Sequence, residues 1–265
     1  MGGVMVRDTR VNGELIREAL DSKEQRHAAS RARVESAVLA TDKKTVDIGA
    51  GFGSTLAGDV VRAVRYAYAL GEGTDRLHEL VSRAATERVL CFSVMERYDA
   101  EFYPGSLGNT YGFDQHNFAT FQDSVDMLSW AVLFADPAVG AAEYGLPSVT
   151  RWGDAVLDSL ALFAGVADVV PREHVAVPQL WAPWLRMLEC APDERAAALE
   201  AYVRPWREIG LRDFGGRIPG SDNDTGRWCF DAAAIAVALD IDDSGVRDVP
   251  EYPGDLVDYR RGLTV

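Results

Sequence analysis

The chain has 265 residues, 48% of them hydrophobic and 26% charged. That is enough apolar material for one large domain or two modest ones, and too much for a disordered chain. A formal net charge of −14 argues against direct binding to nucleic acid or anionic membrane, both of which would repel it, and favours a basic partner or simple solubility.

Helical periodicity dominates from the start. Residues 13–40 place Leu15, Ile16, Leu20, His27 and Val34 toward one face. After the glycine-rich stretch 45–54, Val60, Val61, Val64 and Tyr68 repeat as one stripe of a second helix, which Gly71 and Gly73 stop. Residues 74–98 predict a third helix, with Thr74 as its cap and Leu77, Leu80, Val81, Ala84, Ala85 and Val89 inward. Gly, Pro and Asn cluster over 100–116, as in a connection. The boundary falls there, giving an N-terminal helical domain, 1–115, and a C-terminal helical domain, 116–265.

The second half opens on the strongly apolar run 121–136, expected to be central. An amphipathic segment follows over 151–165, then connections at Pro171 and Pro178. Shorter helices are predicted over 180–190 and 193–206, with Pro192 at a start position. A polar loop, 212–226, leads into Trp228–Leu239, a run apolar on every side and therefore predicted to be a buried helix. Strand candidates are few, so the expected fold is all-α: a multi-helix globular protein of two helical halves packed as one unit.

Two stretches invite other readings. TVDIGAGFGS, residues 45–54, resembles the glycine-rich loop of S-adenosylmethionine-dependent methyltransferases, with Asp47 at a strand end. The alternating strands that such a sheet needs are missing, which leaves a tight inter-helix loop as the plainer reading. DIDDSGVRDVPE, residues 240–251, fits the spacing of a calcium-binding EF-hand loop: Asp240, Asp242, Ser244, Gly245 and Glu251 fall at positions one, three, five, six and twelve. Arg247 occupies a normally apolar position, Pro250 and Pro253 oppose an exit helix, and no second loop exists. The alternative is an acidic surface loop. His27, His78, His116 and His174 show no zinc-ligand spacing. Cys91, Cys190 and Cys229 are odd in number and far apart, as free thiols in a reducing cytoplasm would be. The N-terminal residues have no uninterrupted apolar run, so no signal peptide is expected. No catalytic residue, metal or cofactor is assigned.

Within the apolar run, Asp231 is the exception. A buried carboxylate needs a partner, and Arg227, four residues earlier, is the nearest candidate on one helix face. Asp224 and Thr225 offer caps. The surrounding acids Asp213, Asp222, Asp224, Asp240, Asp242, Asp243, Asp248 and Glu251 make a local negative field and are the candidate partner-binding residues.

Three motifs in this region carry a resemblance. They are Gly226, Trp228, Phe230, Asp231, Ala232 and Ala233; Ile241–Ser244; and Tyr252, Pro253, Asp255, Leu256 and Val257. Together they resemble the C-terminal domain of the PoNi family of immunity proteins, which neutralise PoNe-type nuclease toxins of polymorphic toxin systems. Tyr202 and Trp206, and the run Ser124–Phe134, sit where that family has similar helices. RDTRVNGELIREAL near the start and RYAYALGEG at 65–73 resemble its N-terminal domain. Asp231 stands where Glu is commoner, and Arg207 where an aromatic residue is expected.

The resemblance implies an all-helical, cytoplasmic, non-enzymatic protein that binds a cognate DNase toxin domain with a basic surface and itself contacts neither nucleic acid nor membrane. It makes Trp206, Gly226, Trp228, Phe230, Asp231, Tyr252, Pro253 and Asp255 mainly structural. A methyltransferase, or a generic helical interaction module, is the rival reading.

Overall fold

The computed structural model describes residues 7, 13–102, 118–175, 178–206, 208 and 228–263. Among these the chain is helical throughout and contains no strand. It divides into two compact units, residues 1–123 and 124–265.

The first unit is built on three long helices, α1 (Gly13–Val38), α2 (Lys43–Ala69) and α3 (Thr74–Phe102). α2 packs against both others and buries its apolar stripe, Val60, Val61, Val64 and Tyr68 included. The inward faces of α1 and α3 differ from the expected ones at their margins: Leu15 is 41% and Val89 44% exposed, while Ala37, Glu87 and Arg88 are buried. α3 starts one residue earlier than a Thr74 cap requires, with the Gly73 carbonyl accepting the Leu77 amide.

The glycine-rich stretch is neither a cofactor loop nor an inter-helix loop. Asp42 caps α2 by accepting the Thr45 amide at 2.9 Å, and residues 45–54 run as its first turns. Gly49 and Gly53 are buried there because neighbouring helices come too close for larger residues. A Cβ on Gly49 would stand 2.1 Å from the Ala37 Cβ of α1, and one on Gly53 would stand 3.4 Å from the Cys91 carbonyl oxygen of α3. The methyltransferase reading is thereby overturned, since its phosphate-cradling turn does not exist.

Arginines satisfy helix ends, whose last carbonyls have no partners of their own. The Arg97 guanidinium donates to the carbonyls of Ala37, Val38 and Ala40, closing α1. Arg7 does the same for α2, donating to Tyr68 and Glu72 carbonyls and stacking 4.4 Å over the Tyr68 ring. Glu87, 1% exposed, accepts from Arg31 at 2.8 Å, so its charge is compensated inside the bundle.

The division between units falls inside α4 (Phe118–Leu133), which is buried almost without interruption from Phe121 to Phe134. The second unit continues with α5 (Pro137–Tyr144), α6 (Pro147–Trp152), α7 (Ala155–Phe163), α8 (Pro178–Glu189), a 3-10 turn at Pro192–Glu194, and α9 (Arg195–Val203). It closes with α10 (Phe230–Ala238), a 3-10 turn at Ser244–Val246, and α11 (Gly254–Gly262).

The segment 151–165 is not one helix. Gly153 takes a left-handed conformation (φ 61°) that ends α6, and Asp154 then caps α7 through the Val156 amide. Asp158 on α7 ties down the following connection by accepting from Arg172 and from the Tyr144 hydroxyl. α10 is the core helix: Phe230 to Ala236 are all buried, and it packs against α7, α9 and α11. Trp130 meets Phe230 edge-on at 5.2 Å. Each such large apolar side chain contributes about 1.5–3 kcal/mol of burial.

Candidate functional site

The acids proposed from the sequence occupy the corner that joins α10 to α11. α10 ends at Ala238, and Asp240 turns the chain with φ 50°, a left-handed conformation that Asp tolerates better than most residues. The Ile241 amide then bonds back to the Ala236 carbonyl at 2.8 Å. Asp242 accepts the Ser244 amide at 3.0 Å and starts the 3-10 turn; that amide is the largest influence holding its carboxyl below the usual value.

Asp243 does something different. It is 4% exposed and accepts from Arg247 Nε at 2.7 Å, from Arg261 at 2.8 Å and from the Tyr252 hydroxyl at 3.0 Å. Burial alone would push its carboxyl up, but these three donors outweigh it and keep the carboxyl below its ordinary value. Arg247 also grips both oxygens of Asp258 at 2.9 Å and the Gly254 carbonyl, while Arg261 reaches the Ile241 carbonyl. A Cβ on Gly254 would stand 3.0 Å from Arg247, so the glycine makes room for that arginine.

The corner is thus folded around arginines. In place of the calcium geometry suggested by the 240–251 spacing, Asp242 caps a turn, Asp243 faces inward and Glu251 is 4% exposed. Among the described residues no three His, Cys, Asp or Glu side chains are grouped to hold a metal ion.

Of the eight candidate acids, Asp240, Asp242 and Asp248 are exposed and lie on this corner. Asp248 is 72% exposed at its side chain and 3.5 Å from Arg204, which also reaches Glu200 and the Gly245 carbonyl, tying α9 to the corner. Asp243 and Glu251 are turned inward, away from any partner. Asp213, Asp222 and Asp224 lie outside the described residues, as do Gly226 and Arg227.

The motif residues are architectural, as expected. Trp206, Trp228, Phe230, Asp231, Tyr252 and Pro253 are buried, and the Trp206 ring lies 5.5 Å from that of Tyr202. Asp255 is the exception: it is exposed in the first turn of α11, where an acid complements the helix dipole. Asp231 is held by the Tyr202 hydroxyl at 2.6 Å.

Sequence reasoning passed over Arg247 and Arg261. Arg247 stood out only as the wrong residue for a calcium loop, although its i+4 spacing from Asp243 was a usable signal. Arg261 lies eighteen residues from its partner, and no local pattern announces it.

Charge is unevenly divided. Residues 124–265 hold 23 Asp and Glu against 12 Arg and no Lys, a formal −11 of the chain's −14. No helix among the described residues is long and apolar enough to cross a membrane.

Comparison with known proteins agrees with this picture. The crystal structure of protein PA2201 from Pseudomonas aeruginosa is similar over 100% of this chain and 93% of that one, with a TM-score of 0.76 at 18% sequence identity, a likeness of fold alone. No curated protein matches the chain significantly in sequence. The family described as PoNe immunity proteins (PoNi), C-terminal, matches residues 152–256, a span that runs from the end of α6 through the arginine-pinned corner into α11. Over those residues the chain therefore carries the C-terminal domain of the PoNi immunity-protein family.

Proposed function

We propose that this protein is a cytoplasmic immunity protein that binds and neutralises a cognate PoNe-type nuclease toxin, acting by binding and not by catalysis. The observation that carries this reading is the family match over 152–256. The acid surplus of the same unit supports it, because a nuclease that grips DNA presents basic surface that carboxylates attract. Neutralising a lethal enzyme leaves little room for free toxin, so a Kd near 1 nM, about −12 kcal/mol, is the expected scale. We assign the contact surface to the exposed acids of the corner, Asp240, Asp242 and Asp248, together with Asp213, Asp222 and Asp224.

The test is co-expression with the toxin encoded beside this gene. Survival and co-purification are the expected result; death of the host with the chain stably expressed would sink the reading. Reversing charge at Asp240, Asp242 and Asp248 together should weaken the complex at least tenfold while leaving the helical circular dichroism spectrum unchanged. Unaltered affinity would remove this corner from the interface.

A further inference from the structure

Asp231 stands in the first turn of α10 with 0% exposure, where several elements meet. From α9, the Tyr202 hydroxyl donates to its Oδ2 at 2.6 Å. From α8, the Trp184 indole donates to its main-chain carbonyl at 3.1 Å. The Cys229 thiol lies beside it, and Asp126 of α4, itself 3% exposed, is a second acid whose charge it feels. Tyr202 and Cys229 stay neutral, both pushed well above their ordinary values first by burial and then by the charge of Asp231.

The other helices packed on α10 bring no counter-charge to this acid. Asp158 of α7 is engaged with Arg172 and Tyr144. On α11, Arg260 donates to the Val132 carbonyl and Arg261 to Asp243 and the Ile241 carbonyl, while Asp255 and Asp258 are exposed. Arg227, the partner suggested by helical spacing, lies outside the described residues.

Two buried carboxyl groups that sense each other, with no described cation between them, are not both ionised without a large cost. We propose that Asp231 is a neutral carboxylic acid in the folded protein below neutral pH, and that its ionisation is a loosening device in the core where α8, α9 and α10 meet. The device belongs to the fold and does not depend on the identity of the partner.

The balance of forces gives the direction. Burial is the largest influence and opposes the anion, and Asp126 adds to it. The Tyr202 hydroxyl and the residue's own amide favour the anion but are outweighed, and the carboxyl is pushed up from 3.8 to about 7. A folded-state value above the unfolded one means that the folded state holds the proton more tightly. The stability so gained is complete below 3.8, erodes as pH rises from there, and is gone above about 7. Within that window the unfolding equilibrium constant rises about tenfold per pH unit from this one group.

Denaturant unfolding of the full chain, followed from about pH 5 to about pH 7 for the wild type and for Asp231→Asn, tests this. Asn keeps an acceptor for Tyr202 and cannot ionise, and histidine titrations cancel in the comparison. The wild-type unfolding constant is expected to rise about 100-fold relative to that of the variant across the interval. Parallel curves, or a wild type that weakens instead toward acid, would overturn the proposal. Should the variant fail to fold, the side-chain carboxyl carbon of Asp231 in the wild type gives the answer by ¹³C NMR. A midpoint two or more units above 3.8 is expected, and any smaller displacement overturns it.

Discussion

Asp243 and Asp248 are the same residue type on one short loop, yet one is 4% exposed with three donors and the other has a 72% exposed side chain near one arginine. Removing the carboxylate in Asp243→Ala strands Arg247 and Arg261, and because both arginines are partly hydrated the cost should fall near about 3 kcal/mol. Asp248→Ala should change stability by less than about 0.5 kcal/mol. Urea unfolding of the two variants checks both figures, and equal losses would refute the pinned corner. Asp243 also has a pH signature opposite to that of Asp231. Its carboxyl is held below the ordinary value, so its contribution is present above that value and disappears as pH falls through the folded one. The sequence shows a run of acids and cannot rank them. Which one turns inward is decided by Tyr252 and Arg261, nine and eighteen residues away.

At the scale of elements, α2 shows where sequence reading and structure part. Each glycine weighs about 1 kcal/mol against a helix, so four of them between residues 49 and 58 read as a loop. The compensation is tertiary: α1 lies where a Gly49 side chain would be. Gly49→Ala should therefore destabilise by about 1–3 kcal/mol despite its better helix propensity, because α1 and α2 must move apart. Gly58→Ala, whose new Cβ would meet only the flexible end of Arg62 at 3.4 Å, should instead stabilise by up to about 1 kcal/mol. Thermal melts of the pair should shift in opposite directions, and a shared direction would mean propensity outweighs packing here. The Asp42 cap, three residues before Thr45, was the legible sign of the true helix start. The helix α10, apolar on every side, was legible outright because burial alone explains such a pattern. The break at Gly153 went unread because nothing short-range forces that glycine into its left-handed conformation.

For the whole molecule, the all-α reading is borne out, since it rested on long periodic segments that tertiary contacts only reinforce. The unequal division of charge was hidden in the total. It predicts that toxin binding weakens between about 0.05 M and about 0.5 M salt, chiefly through slower association, as stopped-flow mixing would record. Affinity indifferent to salt would assign recognition to apolar surface instead. The corner pinned by Asp243 also bears on ancestry. Its path is set by buried groups and by Arg247, while positions 240, 242 and 248 point outward. Duplicated copies of such a gene can drift at those outward positions and come to recognise different toxins while inheriting one unchanged frame.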